Sequence, residues 1–289
     1  MTKPKPQPDI AELTDLCRRI RKDILISLNA AKSGHSGGSL SSVEILVALY
    51  FYKLRHDPKN PHWEGRDRFL LSKGHVCPAL YAVMAHAGYL PTDELTTLRK
   101  LGSRLQGHPH MLKLPGLESS SGSLGQGLSI GVGMALGARI DRKDTRIYVF
   151  MGDGETDEGQ IWEGAMSAAH YNLDNLCGIV DRNRLQIDGD TEKVMRLEPY
   201  CEKWAGFGWN VIECDGHDLE HLMAALDQAE RVEGAPTVII ANTVKGKGVS
   251  FMENKAEWHG IPPDDEQLAL ALKELEVTPS KEQLEKADG

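Results

Sequence analysis

The segment Met151-Gly152-Asp153-Gly154 places one carboxylate between two glycines, directly after an apolar run. Glycines let the chain turn tightly and let backbone amides approach a phosphate group. The carboxylate suits a hard cation such as Mg²⁺, which uses few protein ligands and takes the others from phosphate and water. A lone Gly-Asp-Gly is more often an ordinary turn, so this segment needs support from residues elsewhere in the chain.

Asn183 follows the next apolar run, residues 176–180, and offers an amide oxygen. That oxygen can reach a cation held by Asp153 if the two runs are adjacent strands, because ligands of parallel sheets bind at the carboxyl ends of the strands. The backbone carbonyl of Leu185 could supply a third oxygen. We therefore predict a metal site formed by Asp153, Asn183 and Leu185.

Alternating strands and helices have to position these residues, and the pattern is clearest from residue 145 onward. Strands that alternate with helices and read as nearly continuous apolar runs indicate a parallel sheet. The predicted fold class is therefore α/β, with a mostly parallel sheet flanked by helices on both faces. The predicted strands cover residues 69–72, 146–151, 176–180, 209–213 and 236–242. The predicted helices cover residues 10–32, 42–54, 78–88, 125–137, 158–171, 198–206 and 218–232, and a Gly/Ser-rich loop covers 33–39.

The composition excludes several classes of function. A net charge of −9 argues against nucleic-acid binding, which depends on Lys and Arg neutralising phosphates. No run approaches the ~20 apolar residues that a membrane helix needs, so we expect no membrane partner. The five cysteines include no C-x-x-C pair and favour reduced thiols in a cytoplasmic protein. The proline-rich start predicts a disordered tail over residues 1–9.

Several further segments resemble the transketolase family of thiamin-diphosphate enzymes. The spacing from Gly-Asp-Gly to Asn183 resembles the signature with which such enzymes hold diphosphate and Mg²⁺ together. Several motifs in one order are far more specific than any single motif. The resembling segments are Ser33-Gly34-His35-Ser36-Gly37, Asp67-Arg68-Phe69-Leu70-Leu71-Ser72-Lys73-Gly74-His75, Gly107-His108-Pro109, Gly122-Ser123-Leu124-Gly125-Gln126-Gly127, Met151-Gly152-Asp153-Gly154 with Glu158-Gly159, and Trp258-His259-Gly260.

The resemblance implies thiamin diphosphate and Mg²⁺ as cofactors, and it implies roles for four of the eleven histidines. His75 would contact the cofactor diphosphate, and His259 would lie near both the cofactor and a substrate oxygen. His35 and His108 would bind sugar hydroxyls and assist proton transfers. Histidine suits this work because its pKa lies near working pH. A lone histidine is more often a structural hydrogen-bonding residue, and we interpret the remaining histidines in that way.

Other positions match the family's cofactor site and subunit contact. Glu158 matches an acid near the contact between active sites, but a carboxylate favoured by the start of a helix would look the same. Ser36 stands where the family commonly has proline, and His110 where it has an acidic residue; these departures bear on the choice of sugar. The remaining positions that the resemblance assigns to the cofactor are Gly122, Ser123, Leu124, Gly154 and Asn183.

The resemblance also implies a missing half. In this family, a glutamate from a second α/β domain activates the cofactor across a subunit interface, and no second series of strands follows residue 262. We therefore expect the N-terminal subunit of a split transketolase, with 10–262 as the cofactor domain and 263–289 as a C-terminal tail with a helix. A C-terminal partner subunit would complete the site in an assembly of two copies of each chain. A truncated form of a longer enzyme would have the same sequence.

The expected reaction is transfer of a two-carbon ketol unit from a ketose phosphate to an aldose phosphate, as in the pentose phosphate pathway. The sugars are left open, because the residues that grip the substrate phosphate lie largely on the partner. Three alternatives use the same cofactor. They are an alpha-type subunit of a 2-oxo-acid dehydrogenase first component, a 1-deoxyxylulose-5-phosphate synthase-like enzyme, and a non-catalytic thiamin-diphosphate-binding subunit.

Overall fold

Seven strands form two sheets within residues 8–276, the part of the chain that the computed structural model describes. They are β1 (Arg68–Leu71), β2 (Ile147–Gly152), β3 (Leu176–Arg182), β4 (Leu185–Gln186), β5 (Gly189–Asp190), β6 (Asn210–Asp215) and β7 (Thr237–Asn242). The main sheet has the order β1-β2-β3-β7-β6, and every pair in it is parallel. The short strands β4 and β5 form an antiparallel hairpin that the sequence patterns did not predict.

Ten α-helices accompany these strands in the same residues. They are α1 (Ile10–Ala31), α2 (Ser36–Ser41), α3 (Val43–Ala48), α4 (Cys77–His86), α5 (Gln126–Ile140), α6 (Gly159–His170), α7 (Thr191–Val194), α8 (Tyr200–Gly206), α9 (Leu219–Arg231) and α10 (Asp265–Glu274). A π-helical segment lies at Leu49–Lys53, and short 3₁₀-helical segments lie at Gly74–Val76, Thr92–Thr97, Gly154–Asp157 and Ala256–His259. No helix within residues 8–276 combines the length and apolar character needed to cross a bilayer.

Two hydrophobic clusters cover the two faces of the main sheet. Successive residues of a strand point to opposite faces, so Tyr148 and Phe150 of β2 pack in one cluster and Val149 and Met151 pack in the other. Helices α1, α3, α4 and α9 cover the first face, and α5, α6 and α8 cover the second. The predicted α/β class, with a parallel sheet between two helical layers, is confirmed.

The first and last helices of the described residues, α1 and α10, each begin with a capping aspartate. Asp9 accepts a hydrogen bond from the amide of Ala11 and begins α1, while Asp264 begins α10 with a capping box. Helix α10 packs on α1. The predicted disordered tail and the end of the predicted C-terminal tail fall mostly on residues 1–7 and 277–289, which lie outside the described residues, and the predicted domain bounds stay a prediction.

The Gly/Ser-rich stretch 33–39 was predicted as a loop, and this prediction was wrong for its second half. Residues Ser36–Ser41 form the short helix α2, which is fully buried. Tertiary contacts override the weak helix propensity of glycine and serine here: the Ser36 hydroxyl donates to the carbonyl of Ile261 at 2.6 Å. Ser42 lies before α3 as predicted, but its hydroxyl donates to the carbonyl of Gly38 and does not cap that helix.

Helix α5 depends on a glycine to approach the sheet, and this can be tested with a matched pair of variants. A β-carbon at Gly131 would lie 2.5 Å from Val149 Cγ2, whereas one at Gly133 would meet nothing within 4 Å. We expect Gly131→Ala to lower the free energy of unfolding by about 1–3 kcal/mol through overpacking. Gly133→Ala should raise it by about 0.5–1 kcal/mol, as alanine normally does inside a helix. Urea denaturation of the isolated chain measures both, and equal effects would contradict the close packing.

Candidate active site

A cleft opens at the carboxyl ends of β1, β2, β3 and β7, where ligands of parallel sheets bind. Nine of the residues predicted for the site line it: His35, His75, Gly122, Leu124, Asp153, Gly154, Asn183, Leu185 and His259. The register of the strands explains this meeting, since Gly152 of β2 pairs with Asp181 of β3 and brings the two strand ends level.

Three other predicted residues lie around the cleft and do not line it. His108 is exposed at the rim, where a β-carbon on Gly122 would lie 3.4 Å from its ring. Ser123 is exposed beside Leu124. Glu158 is exposed at the start of α6, and its side chain makes no capping hydrogen bond there. The catalytic role predicted for His108 and the subunit-contact role predicted for Glu158 stay predictions.

Asp153 is buried at the end of β2 with both carboxylate oxygens engaged. Oδ1 accepts from the amide of Gly154 at 2.8 Å, and Oδ2 accepts from the amide of Arg184 at 2.6 Å and from Arg182 Nη1 at 3.2 Å. Burial raises the pKa of this carboxyl, and Asp181 nearby adds to the effect. A divalent cation bound beside Asp153 would counter that rise in pKa, because a positive charge stabilises the ionised carboxylate.

Asn183 is oriented by the residue two positions before it. Its Nδ2 donates to Asp181 Oδ2 at 3.2 Å, so its Oδ1 is the atom left to accept, here from the amide of Leu185 at 3.1 Å. The assignment of the two amide atoms follows from this network. The carbonyl of Leu185 accepts from Lys245 Nζ at 3.2 Å. Asp153, Asn183 and Leu185 therefore gather oxygen atoms of the kinds that Mg²⁺ prefers.

The sequence patterns missed Lys245, which lies three residues after β7 and is fully buried in the cleft. Its Nζ lies 2.9 Å from His259 Nδ1, and burial lowers the pKa of its ammonium to about 8. A β-carbon at Gly37 would lie 2.9 Å from Lys245 Cγ, so glycine makes room for the lysine stem. The position of Lys245 just beyond the end of a parallel strand could have indicated its role, since ligands such as phosphate groups bind there.

Lys73 is a second buried lysine of the cleft, and the sequence patterns gave it no role although it lies directly before Gly74-His75. Its Nζ donates to Asp181 Oδ2 at 2.5 Å and to Ser42 Oγ at 3.0 Å. Glu155 is also buried and lines the cleft, and it accepts hydrogen bonds from the amides of Gly125 and Gly152. Lys73 faces the cleft as an ion pair with Asp181.

Three histidines meet in the cleft. The ring centroids of His35 and His75 lie 4.9 Å apart, those of His35 and His259 5.4 Å, and those of His75 and His259 5.2 Å. Burial lowers the pKa of His35 to about 4 and that of His259 to about 3, and it holds the pKa of His75 well below the ordinary value. Nearby cations such as Lys245 add to each shift. All three rings are therefore neutral near pH 7.

The contact with Lys245 decides the tautomer of His259. The ammonium can only donate, so Nδ1 of the neutral ring accepts and the ring proton lies on Nε2. His259 can then donate a hydrogen bond to a ligand oxygen through Nε2. Within residues 8–276, the buried Nδ1 of His35 has no hydrogen-bond partner, so this nitrogen is an unsatisfied polar atom beside the cleft.

The depressed pKa of His35 predicts how stability depends on pH in the cofactor-free chain. The unfolded chain takes up a proton on this residue near its ordinary pKa, while the folded chain does so only near about 4, since burial and then Arg99, His108 and Lys245 all disfavour the charge. The free energy of unfolding should therefore fall as pH is lowered from about 6.5 toward about 4. Urea denaturation across that range should show a shallower fall for His35→Asn. An equal change in slope for His221→Asn, at an exposed site on α9, would contradict this origin.

Comparisons with known proteins agree with this geometry. Residues 13–285 match the family model described as "Transketolase, thiamine diphosphate binding domain". The chain is 47% identical over 257 residues to the 6-deoxy-6-sulfo-D-fructose transketolase subunit of a Clostridium species, covering 89% of this chain and 94% of the relative. It is 45% identical over 266 residues to an apulose-4-phosphate transketolase subunit of Phocaeicola vulgatus, covering 92% of this chain and 94% of the relative.

Solved structures that match this chain are also transketolases, with lower sequence identity. Transketolase from Campylobacter jejuni superposes with a TM-score of 0.89 at 33% identity over 94% of this chain. The match covers 44% of that protein, so the chain spans less than half the length of this solved transketolase. The family model and the relatives matched along nearly their whole length show that this chain belongs to the transketolase family, as a thiamin-diphosphate-binding subunit.

Proposed function

We propose that this chain is the N-terminal subunit of a split transketolase that moves a two-carbon ketol unit from a ketose phosphate to an aldose phosphate. The observation that carries the proposal is the meeting of oxygen donors, lysines and neutral histidines at one edge of the sheet. The names of the relatives that match nearly end to end, both transketolase subunits, support the same function.

The cofactor diphosphate and a Mg²⁺ ion fit the donor set of the cleft. Asp153, Asn183 and the carbonyl of Leu185 would hold the cation, which takes its remaining ligands from phosphate and water. His75 and Gly154 would contact the diphosphate, together with Gly122, Ser123 and Leu124 along its side. The buried Lys245 adds a positive charge within the cleft that suits a diphosphate. When bound, thiamin diphosphate supplies the nucleophilic carbon that carries the transferred unit.

The histidines would bind the sugar and assist proton transfers. His259, neutral and protonated on Nε2, would donate to a substrate oxygen close to the cofactor. His35, which lines the cleft, and His108, at the exposed rim, would bind sugar hydroxyls and assist proton transfers. A neutral imidazole suits these tasks because it can donate and accept through its two nitrogen atoms.

A C-terminal partner subunit would cover the open side of the cleft. Apolar side chains beside it are exposed, namely Ile187 of the β4–β5 hairpin, which lines the cleft, and Ile261, which follows His259. Exposed apolar groups around a polar cleft are typical of a protein interface. Outward-facing Ile130 and Met166 on the adjacent helices α5 and α6 support self-association within an assembly of two copies of each chain.

The proposed compartment is the cytoplasm. All five cysteines are free thiols, which suits its reducing conditions.

The donor sugar need not belong to the pentose phosphate pathway. The two relatives act, by their names, on 6-deoxy-6-sulfo-D-fructose and apulose 4-phosphate. We propose an anionic ketose as the donor, with its anionic group held on the partner subunit.

The test is ketol transfer by the purified chain, with thiamin diphosphate and Mg²⁺, alone and after mixing with the product of the neighbouring gene. Xylulose 5-phosphate, 6-deoxy-6-sulfo-D-fructose and apulose 4-phosphate serve as donors and ribose 5-phosphate as acceptor. We expect no turnover alone and turnover from at least one donor with the partner. Turnover by the chain alone would contradict the need for a partner. Cofactor binding without turnover from any donor in the mixture would contradict the transketolase proposal.

A further inference from the structure

Residues 244–247, the segment that carries Lys245, are held from behind by a network of three side chains. The network consists of Arg21 on α1, Glu44 on α3 and His217, which follows β6. Glu44 Oε2 accepts from Arg21 Nη2 at 2.7 Å and lies 3.0 Å from His217 Nδ1. Arg21 and Glu44 are buried, and the side chain of His217 is 12% exposed. None of the three lines the cleft, and the proposed function gives them no task.

The two ring nitrogens of His217 have different partners. Nε2 accepts from the amide of Val244 at 2.8 Å, so the proton of the ring lies on Nδ1 and is donated to Glu44. Burial alone would raise the pKa of Glu44, yet Arg21 and His217 lower it to about 2, so this carboxylate is ionised and can only accept. The ring therefore holds the amide directly before Lys245 and is itself oriented by Glu44.

Arg21 holds the other end of the same segment. Its Nε donates to the carbonyl of Lys247 at 3.0 Å. Between the two ends, the amide of Gly246 donates to the carbonyl of Gly37 in α2 at 3.0 Å. The backbone on both sides of Lys245 is thus fixed by groups from α1, α2 and the residue that follows β6.

A fixed backbone matters here because the lysine stem is flexible. A four-carbon stem leaves the ammonium free to move unless the base from which it extends is held in place. Lys245 Nζ lies 2.9 Å from His259 Nδ1 and 3.2 Å from the carbonyl of Leu185. A displacement of about 1 Å would take Nζ beyond hydrogen-bonding distance of either partner.

We propose that this network places the Lys245 ammonium against His259 and beside the proposed diphosphate site by fixing residues 244–247. Arg21, Glu44 and His217 are therefore positioning residues that act through the backbone. This inference rests on the proposed function, in which the charge of Lys245 suits the cofactor diphosphate. Loss of the network should weaken cofactor binding and release His259 from a single tautomer.

Two substitutions at His217 separate the hydrogen bond from packing. His217→Ala removes the acceptor of the Val244 amide, whereas His217→Gln offers a side-chain oxygen in place of Nε2. Asp227→Asn is the structural control. Asp227 lies further along α9, and its carboxylate accepts from Lys53 and Tyr52, neither of which lines the cleft.

The first measurement needs no cofactor. In the full chain labelled with ¹⁵N at histidine, nuclear magnetic resonance distinguishes the ring nitrogen that carries the proton from the one that does not. The signal of His259 is identified by its loss in His259→Gln, and it should show the proton on Nε2. His217→Ala should give a mixture of both tautomers, while His217→Gln and Asp227→Asn should keep the proton on Nε2.

The second measurement is the dissociation constant of thiamin diphosphate, determined by calorimetry on the chain mixed with its partner subunit and Mg²⁺. We expect His217→Ala to raise this constant about tenfold, the effect of losing roughly one hydrogen bond. The constant should stay within about threefold for His217→Gln and about twofold for Asp227→Asn, because both keep an acceptor for the Val244 amide.

Glu44→Gln covers the case in which His217→Ala does not fold. It keeps the shape of the side chain but removes the charge that holds Arg21 and orients His217, so both measurements should change in the same direction by a smaller amount. An unchanged tautomer or dissociation constant in the folded variants, or an equal change in Asp227→Asn, overturns the positioning role and leaves the cofactor site intact. Failure of the unmodified mixture to bind thiamin diphosphate overturns the cofactor site, and the tautomer of His259 then decides the positioning role by itself.

Discussion

Replacing Asp181 by leucine should lower the free energy of unfolding by about 3–5 kcal/mol, the range for breaking a buried ion pair. Burial alone would raise the pKa of this carboxyl, yet the Lys73 ammonium holds it below its ordinary value. Asp181 also accepts hydrogen bonds from Ser41, Asn183 and Thr243. The leucine would leave the Lys73 charge without its partner in a site where neither side chain is more than 3% exposed. Urea denaturation measures the loss.

A double variant separates two effects of Asp181→Leu, the unpaired charge that it leaves on Lys73 and the loss of the Asp181 carboxylate itself. Lys73→Met removes the charge that Asp181→Leu would leave unpaired, so the double variant should be more stable than Asp181→Leu alone. As an exposed counterpart, Asp15→Asn removes the ion pairs of Asp15 with Arg18 and Arg19 and should change stability far less than Asp181→Leu does, because water screens exposed charges. Equal losses in the Asp15 and Asp181 variants would contradict a buried pair.

Replacing His259 by alanine should lower kcat/KM for ketol transfer in the reconstituted enzyme by about 10²–10³-fold. A positioned group that donates to reacting oxygens contributes about 10²–10⁴-fold, and His259 lines the cleft with its proton directed to Nε2 by Lys245. Steady-state rates with the partner subunit provide the measurement. A His259→Gln variant, which keeps a donor at similar reach, should recover part of the lost rate.

Two controls make this result specific. His221→Ala, on the exposed side of α9, should leave kcat/KM unchanged. Binding of thiamin diphosphate, followed by calorimetry, should weaken much less than the rate in His259→Ala, because other groups hold the diphosphate. A rate equal to that of the unmodified enzyme would show that His259 takes no part in the chemistry.

The strands and the residues at their carboxyl ends could be predicted from the sequence because both depend on local patterns. The apolar runs at β2, β3 and β7 are buried on both faces and therefore read as continuous hydrophobic segments. Because β2 and β3 lie side by side in the parallel sheet, Asp153 and Asn183 meet at its carboxyl edge. This adjacency was the one long-range feature that the prediction had to assume.

Helix α2 and the place of Lys245 in the cleft could not be predicted in this way. The glycines and serines of α2 become helical because they are enclosed by α1, α4 and the segment that ends at His259. Lys245 is held by groups distant in sequence, the carbonyl of Leu185 and the ring of His259. Arg182 was also predicted to lie beyond the end of β3, although the strand includes it.

The cleft is assembled from side chains that span the sequence from His35 to His259, so only the folded chain can present them together. Any ligand of this cleft is then a stabiliser of the native state through mass action, worth about 2.7 kcal/mol when its concentration is a hundredfold above its dissociation constant. A change of that size alters the small unfolded fraction that cellular proteases remove. The amount of this subunit in a cell should therefore follow the supply of vitamin B1 as well as the rate of its synthesis.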